Sequence, residues 1–183
     1  MRPGVYGRRV AVATIRRVIV GVHGSPGSLQ ALRYAADEAR RRDVPLVPVI
    51  VWLPSATMAG RRHALPYLQL RTPWREHAWR QLRTAFEEGL GGIPADLQVE
   101  PRIEEGDTAP LLVAIASQPG DLLIIGTGRR AGLGRLGRGP VGRYCLAHAR
   151  CPVLAVPPPA LLDEVGHGLR SWHLRRRMLM PDL

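Results

Sequence analysis

Short apolar or alternating runs alternate along this sequence with longer segments whose apolar residues recur at helical spacing. The runs occupy residues 17–22, 46–52, 97–104, 121–126 and 152–156. Runs of this length, rich in β-branched residues, predict strands, and the segments between them predict amphipathic helices. Strands that are apolar on both faces and separated by helices are typical of a parallel sheet. The sequence therefore predicts an α/β fold, an open, doubly wound five-stranded parallel sheet with helices on both faces.

Capping residues and prolines predict where the helices begin and end. Ser25 and Pro26 are suited to the cap and first position of a helix that ends in three arginines at 40–42. Pro73 predicts the start of a second helix, which we expect to end at Gly89 after a long connection over 53–72. Further helices are expected from Asp107 or Thr108 to Ala116 and from about Gly139 to Ala149. Pro48 is awkward inside the second strand, because proline removes a hydrogen bond of the sheet.

The chain divides into one domain and two flanking segments. We expect a flexible leader over 1–15, the α/β domain over 16–158 and a basic amphipathic tail over 159–183. No apolar run approaches the roughly 18–20 residues of a membrane span, and the apolar stretch near the N-terminus is too short for a signal peptide. Cys145 and Cys151 are expected to be free thiols. These features predict a cytoplasmic protein without a transmembrane segment.

All 26 basic residues are arginine, and they give a formal net charge of +11. The absence of lysine excludes Schiff-base chemistry and a phosphate-binding lysine of the Walker type. Clusters at 40–42, 129–138 and 175–177 are compatible with binding to nucleic acid or another anionic surface. The absence of asparagine as well as lysine favours a second explanation of the many arginines, namely a genome biased towards GC-rich codons.

A glycine- and arginine-rich loop follows the fourth predicted strand, over residues 126–139. Glycines allow a tight loop that presents backbone N–H groups, and the start of the next helix attracts anions. Ligands of such sheets bind at the carboxyl ends of the strands, which here are near His23, Val51 and Gly126. The loop is compatible with a phosphate site and equally with a flexible surface loop whose arginines are solvated.

Three segments, in this order and spacing, resemble the universal stress protein family. They are Val-Ile-Val-Gly-Val-His-Gly-Ser at 18–25, Gly-Asp-Leu-Leu-Ile-Ile-Gly at 120–126 and Ala-His-Ala-Arg-Cys-Pro-Val-Leu-Ala-Val at 147–156. The resemblance covers about residues 16–158. It implies the adenine nucleotide alpha hydrolase-like version of the fold, a role in the stress response and a homodimer formed through the last strand, 152–156.

The ATP-binding members of that family carry a glycine, two residues, a second glycine, nine residues, and a glycine followed by Ser or Thr. Gly126 and Gly139 match the first and last glycines. Arg129 replaces the middle glycine, Gly128 stands one position early, and Pro140 replaces the hydroxyl residue. The resemblance implies ATP as a possible cofactor. A side chain at Arg129 and a missing N–H at Pro140 both weaken a phosphate site, so we expect the ATP pocket to be eroded.

The acidic residue that family members usually carry after the first strand is His23 in this chain, and Val51 stands where the family contacts adenine through main-chain atoms. A neutral imidazole accepts one hydrogen bond but cannot act as a carboxylate. The resemblance thus implies the following cofactor-binding residues: Val22, His23, Val51, Gly126, Gly128, Arg129, Gly139, Pro140 and Val141.

We expect this protein to act by binding rather than by catalysis. Ser25 is better explained as a helix cap than as a nucleophile, and the six histidines show no metal-ligand spacing. We therefore expect no catalytic and no metal-binding residues. The alternatives are a protein that binds nucleic acid or an anionic surface through its arginine clusters, and an enzyme that hydrolyses ATP.

Overall fold

One parallel five-stranded sheet forms the centre of the structure. The computed structural model describes residues 14–52, 65–127 and 139–159, and for 65–73 the backbone alone. The elements are β1 (Arg17–Gly21), α1 (Pro26–Arg42), β2 (Leu46–Trp52), α2 (Leu65–Leu90), β3 (Arg102–Glu105), α3 (Thr108–Ile115), β4 (Asp121–Gly126), α4 (Pro140–His148) and β5 (Val153–Val156). The strand order is β3-β2-β1-β4-β5, and every pair is parallel. The predicted fold class is confirmed.

Alternate residues of β1, β2, β4 and β5 pack into two apolar cores, one on each face of the sheet. Val18 and Val20 of β1 face the core that contains α1 and α2, whereas Ile19 faces the core that contains α3 and α4. This period of two is the reason why the central strands are apolar at every position.

The start of α1 is fixed by the residues that predicted it. Ser25 is the N-cap, and its Oγ accepts a hydrogen bond of 3.2 Å from the backbone N–H of Ser28. At the other end the backbone N–H of Asp43, in a left-handed conformation with φ of 53°, caps the last carbonyls. The prediction of a capped helix over 26–42 is confirmed.

The start predicted for the second helix is wrong. The helix α2 begins at Leu65, eight residues before Pro73, and takes in part of the connection expected over 53–72. Proline is common at the first position of a helix, but this is only a statistical preference. Inside a helix proline removes one hydrogen bond at a cost of about 3 kcal/mol, which the packing of the flanking turns can offset. The remainder of that connection, 53–64, lies outside the described residues.

The strand β3 is shorter than its alternating sequence predicts. Regular pairing begins at Val49↔Arg102, after an isolated bridge between Leu46 and Val99. The groups of β2 that face β3 belong to its even-numbered residues, because the N–H of Leu46 donates to Gln98 and its carbonyl accepts from Glu100. The next such residue is Pro48, which has no N–H to donate. Pro48 therefore remains inside a central strand, and the irregular stretch of the partner strand lies opposite it.

An ion pair joins the two central strands at their amino ends. Asp121 of β4 is 1% exposed, and both of its oxygens lie 2.9 Å from the guanidinium of Arg17 in β1. The backbone N–H of Gln118 donates to the same carboxylate at 2.8 Å. Ile15, the last residue of the predicted leader, is buried in the core beside this end of the sheet. The β1–β4 pair is thus held firmly next to the point where the strand order reverses.

Candidate functional site

A cavity of about 230 Å³ opens at the carboxyl ends of the strands, on the face covered by α3 and α4. The strands β2 and β3 follow β1 on one side of it, and β4 and β5 lie on the other side. The cavity lies at this reversal, where doubly wound sheets bind their ligands. Its lining consists of Gly21, Val22, His23, Val49, Val51, Thr108, Leu112, Ile125, Gly126 and Val141.

The floor of the cavity is apolar. Val49 and Val51 supply it at the end of β2, and Ile125 supplies it at the end of β4. Leu112 of α3 closes the side, and Thr108, at the first turn of the same helix, adds a hydroxyl. An apolar floor with a few polar groups at its margin is typical of a small-molecule site.

His23 stands at the mouth of the cavity and is held by its main chain. Its N–H donates to Ser28 Oγ at 3.3 Å, and its carbonyl oxygen accepts from Gln81 Nε2 at 3.0 Å. The ring is exposed, with Nε2 3.3 Å from Ser25 Oγ. The imidazole is therefore available to a ligand while its backbone is fixed.

Ser25 is a helix cap, as predicted, and it is also a neighbour of His23. Its Oγ accepts from the backbone N–H of Ser28, which leaves the hydroxyl proton to be donated. A search of the sequence for a separate His/Asp pair misses this contact, because the histidine lies only two positions away. The serine oxygen is engaged in starting α1, which favours its structural role.

The helix α4 begins beside the cavity. Gly139 is its N-cap and Pro140 its first residue, and no acidic side chain lies in the first turn. Since the N–H of Arg143 already donates to the Gly139 carbonyl at 3.1 Å, the helix start leaves the N–H groups of Val141 and Gly142 without a partner inside the helix. Pro140 has no N–H to add. The anion-binding capacity of this helix start is thus two amides instead of three.

Five of the nine predicted site residues line the same cavity: Val22, His23, Val51, Gly126 and Val141. Gly139 and Pro140 lie immediately before Val141 at the start of α4. Gly128 and Arg129 lie outside the described residues.

The prediction missed the contributions of Gly21, Val49, Thr108, Leu112 and Ile125. Thr108 follows the end of a predicted strand, so its position in the sequence could have indicated a place at the cavity. Leu112 lines the cavity only because α3 crosses from β3 to β4 over the sheet, and the strand order is needed to see this.

The arginine cluster at 40–42 is paired with acidic residues. Arg40 Nε lies 2.6 Å from Asp96, and Arg41 and Arg42 both bind Glu38, the latter at 2.5 Å. Partial burial raises the pKa of Glu38, but the hydrogen bonds and charges of Arg42 and Arg41 outweigh this effect and hold its pKa below the usual value. This cluster presents little uncompensated charge. The clusters at 129–138 and 175–177 lie outside the described residues.

Both cysteines are free thiols, as predicted. Cys145 is buried, and burial raises the pKa of its thiol and of that of Cys151. Among the residues that the structure describes, no three His, Cys, Asp or Glu side chains lie together as a metal site requires. None of the helices in the described ranges has the length and apolar character needed to cross a bilayer.

The fold and the cavity define a class, the doubly wound α/β proteins with a ligand cavity at the switch point. Within that class the sequence model of the Universal stress protein family matches residues 14–157. A universal stress protein of Mycolicibacterium smegmatis is 30% identical over 141 residues, which are 77% of this chain and 45% of that protein. One of Mycobacterium tuberculosis is 32% identical over 174 residues, 92% of this chain and 57% of that protein. The chain belongs to the universal stress protein family, and it spans about half the length of these curated relatives.

Solved structures agree with the fold. The universal stress protein UspA from Lactobacillus plantarum superimposes with a TM-score of 0.55 at 19% identity, covering 79% of this chain and 99% of that one. A universal stress protein in complex with cAMP superimposes with a TM-score of 0.50 at 20% identity, covering 80% of this chain and 99% of that one.

Proposed function

We propose that this chain is a stress-response protein that binds an adenine nucleotide in the cavity at the switch point, and that it acts by binding rather than by catalysis. The observation that carries the proposal is the cavity itself, formed by the ends of β1, β2 and β4 and the first turns of α3 and α4. A relative of the same fold crystallised with cAMP supports the ligand class.

The base fits the apolar end of the cavity. Val49 and Val51 of β2 lie there with Leu112 of α3. An apolar floor favours a flat aromatic ring, and main-chain groups at a strand end can hydrogen-bond its edge. Such contacts do not depend on the side chain at position 51, which is consistent with a valine there.

The phosphates fit the opposite end, at the start of α4. The amides of Val141 and Gly142 and the helix dipole attract an anion, and the loop over 128–138 carries the arginines that would neutralise further charge. Because Pro140 removes one donor, we expect weaker binding than a full helix start provides. A hydrogen bond to a charged group contributes about 1.5–3 kcal/mol, so the loss is large enough to measure.

We further propose a homodimer that forms through β5. This strand lies at the edge of the sheet, and Val153, Leu154 and Ala155 are apolar and half-buried. The opposite edge strand, β3, carries Arg102 and Glu104, charges that discourage pairing between edges. Pairing β5 with a second copy would satisfy its outward main-chain groups. The free thiols Cys145 and Cys151 suit the reducing environment of the cytoplasm.

The test is detection of nucleotide in the purified full chain, followed by equilibrium dialysis against labelled ATP. We expect adenine nucleotide to be released on denaturation or saturable binding in the dialysis. The absence of both at millimolar ATP would refute the proposal. Phosphate release at a rate above that of a matched buffer control would refute the non-catalytic part alone.

A further inference from the structure

His23 occupies the middle of the cavity's length. The ends of three adjacent strands border the cavity in the order β2, β1, β4, with α4 beyond β4. If the base lies at β2 and the 5′-phosphate at α4, as proposed above, the sugar lies over the end of β1. The residues there are Gly21, Val22 and His23. His23 is therefore the side chain nearest to the ribose hydroxyls.

The ribose end of the cavity is free of carboxylates in the part that the structure describes. Among the described residues that line the cavity, His23 is the one with an ionisable side chain. The first turns of α1 and α4 carry no acidic residue. The acids at this edge of the sheet are Glu104 and Glu105 of β3, on the far side of β2, and Asp107, the cap of α3, next to the cavity-lining Thr108. The ionisable side chain that lines the cavity at the end of β1 is thus a histidine, and the starts of α1 and α4 carry no acid to oppose a second phosphate.

The ring of His23 can offer a ligand a hydrogen-bond donor. Ser25 Oγ accepts from the N–H of Ser28 and lies 3.3 Å from His23 Nε2, a contact in which either group can be the donor. A neutral imidazole that accepts at Nε2 carries its proton on Nδ1, and a protonated ring donates from both nitrogens. In either state the ring offers a donor, whereas ribose hydroxyls are best held by an acceptor carboxylate.

Doubly wound folds discriminate nucleotides at this point by charge. In the dinucleotide-binding version of such folds, an Asp or Glu beside the ribose binds its 2′-hydroxyl, whereas an Arg accommodates a phosphate at that position. The donor character of His23 and the surrounding helix starts match the second case. We infer that the cavity prefers an adenosine nucleotide with a second phosphate on the 2′ or 3′ position of the ribose. The inference rests on the proposed nucleotide binding and adds the class of ligand.

The test compares four ligands on the full chain by isothermal titration calorimetry. They are AMP, ADP, adenosine 2′,5′-bisphosphate and adenosine 3′,5′-bisphosphate. ADP carries the same number of phosphates as the bisphosphates, so it controls for unspecific attraction of phosphate to a protein of net charge +11. We expect one bisphosphate to bind about 10- to 100-fold more tightly than AMP, the effect of one hydrogen bond to a charged group. The two bisphosphates identify the position of the phosphate.

Two variants separate the role of His23 from that of the fold. H23A removes the ring and its donor, and H23D introduces the acceptor that ribose hydroxyls favour; the ring is exposed, so both should fold. We expect the higher affinity for the bisphosphate relative to AMP to vanish in H23A and to reverse in H23D, while the ratio of ADP to AMP affinity stays unchanged in H23A. A bisphosphate preference that persists in H23A, or that is absent in the wild type, overturns the inference alone. If no adenine nucleotide binds, the proposed function fails with it.

Discussion

Gly126 lies against the main chain of Gly27, so closely that a Cβ on Gly126 would be 2.4 Å from the Gly27 carbonyl oxygen. The residue is required by packing rather than by its own conformation, because its φ is not among the positive values. The contact brings the end of β4 against the first turn of α1. Gly126, one of the predicted site residues, therefore also holds a strand and a helix together beside the cavity.

We predict that G126A destabilises the fold by about 1–3 kcal/mol, because the added methyl group forces α1 away from β4. The matched control is G139A, since nothing lies within 4 Å of a Cβ at Gly139. Urea denaturation followed by circular dichroism measures both variants. Equal free energies of unfolding for the two would contradict the packing role of Gly126.

The ion pair between Arg17 and Asp121 makes a second prediction. The hydrogen bond to Asp121 raises the pKa of Arg17, so the guanidinium remains charged in the pair. We expect D121A to lower the free energy of unfolding by about 3–5 kcal/mol, because it leaves a partly buried guanidinium without its partner. The double variant R17M/D121A removes both charges and should lose less stability than the sum of the losses of R17M and D121A alone. Additive losses, measured by chemical denaturation, would show that the pair is not coupled.

Most of the fold could be predicted from the sequence because its signals are local. The apolar run at 121–126 and the capped helix at 26–42 are set by residues within each element, and the structure has the same bounds. The start of α2 and the length of β3 could not be predicted. Both depend on how prolines are accommodated: Pro73 inside a helix and Pro48 opposite a neighbouring strand.

The candidate site divides in the same manner. Residues that follow a strand end, such as Val22 and His23, can be found from the rule that ligands bind at the carboxyl edge. Leu112 comes from a helix that passes over the sheet, so its part in the cavity depends on the strand order. The pairing of Arg40 with Asp96, 56 residues away in the sequence, is equally invisible to composition and changes how the arginine cluster is interpreted.

Glu38 predicts a pH dependence. Its pKa is held below the ordinary 4.5 in the folded state, so it stabilises the fold fully above that value, and this contribution is lost as the pH falls through the lowered pKa. We expect E38Q to be less stable than the wild type by up to about 1 kcal/mol at pH 7, consistent with surface pairs. The difference should begin to shrink as the pH falls below the ordinary pKa, where the unfolded chain becomes protonated, and should disappear below the lowered pKa of the folded state. Thermal unfolding across this range checks it, and a difference that grows towards acid pH would have the wrong sign.

The proposed dimer can be tested by a single proline. The carbonyl of Pro152 accepts a hydrogen bond from Leu123 of β4, and that of Val156 accepts one from Thr127, which follows β4. The main-chain groups of Val153 and Ala155 therefore face outward. A155P should therefore remove a donor from the free edge while β4 pairing stays intact. We expect the mass measured by light scattering to fall from that of a dimer to that of a monomer. The control is A155S, which keeps the N–H and should remain dimeric; an unchanged mass for A155P would place the interface elsewhere.

The phosphate end of the cavity is best tested at Val141, which lines the cavity in the first turn of α4. V141D places a negative charge where the phosphates are proposed to bind, and V141N is its uncharged counterpart of nearly equal shape. An aspartate in the first turn interacts favourably with the helix dipole, so the stability of V141D should equal or exceed that of V141N. Nucleotide affinity should move in the opposite direction, with V141D about 10-fold or more weaker than V141N, which corresponds to about 1.4 kcal/mol. Equilibrium dialysis and thermal unfolding on the same samples separate the two effects. Loss of fold would lower both quantities together, so weaker binding in an equally stable variant is an effect of the negative charge at the start of α4. Equal affinities would place the phosphates away from α4.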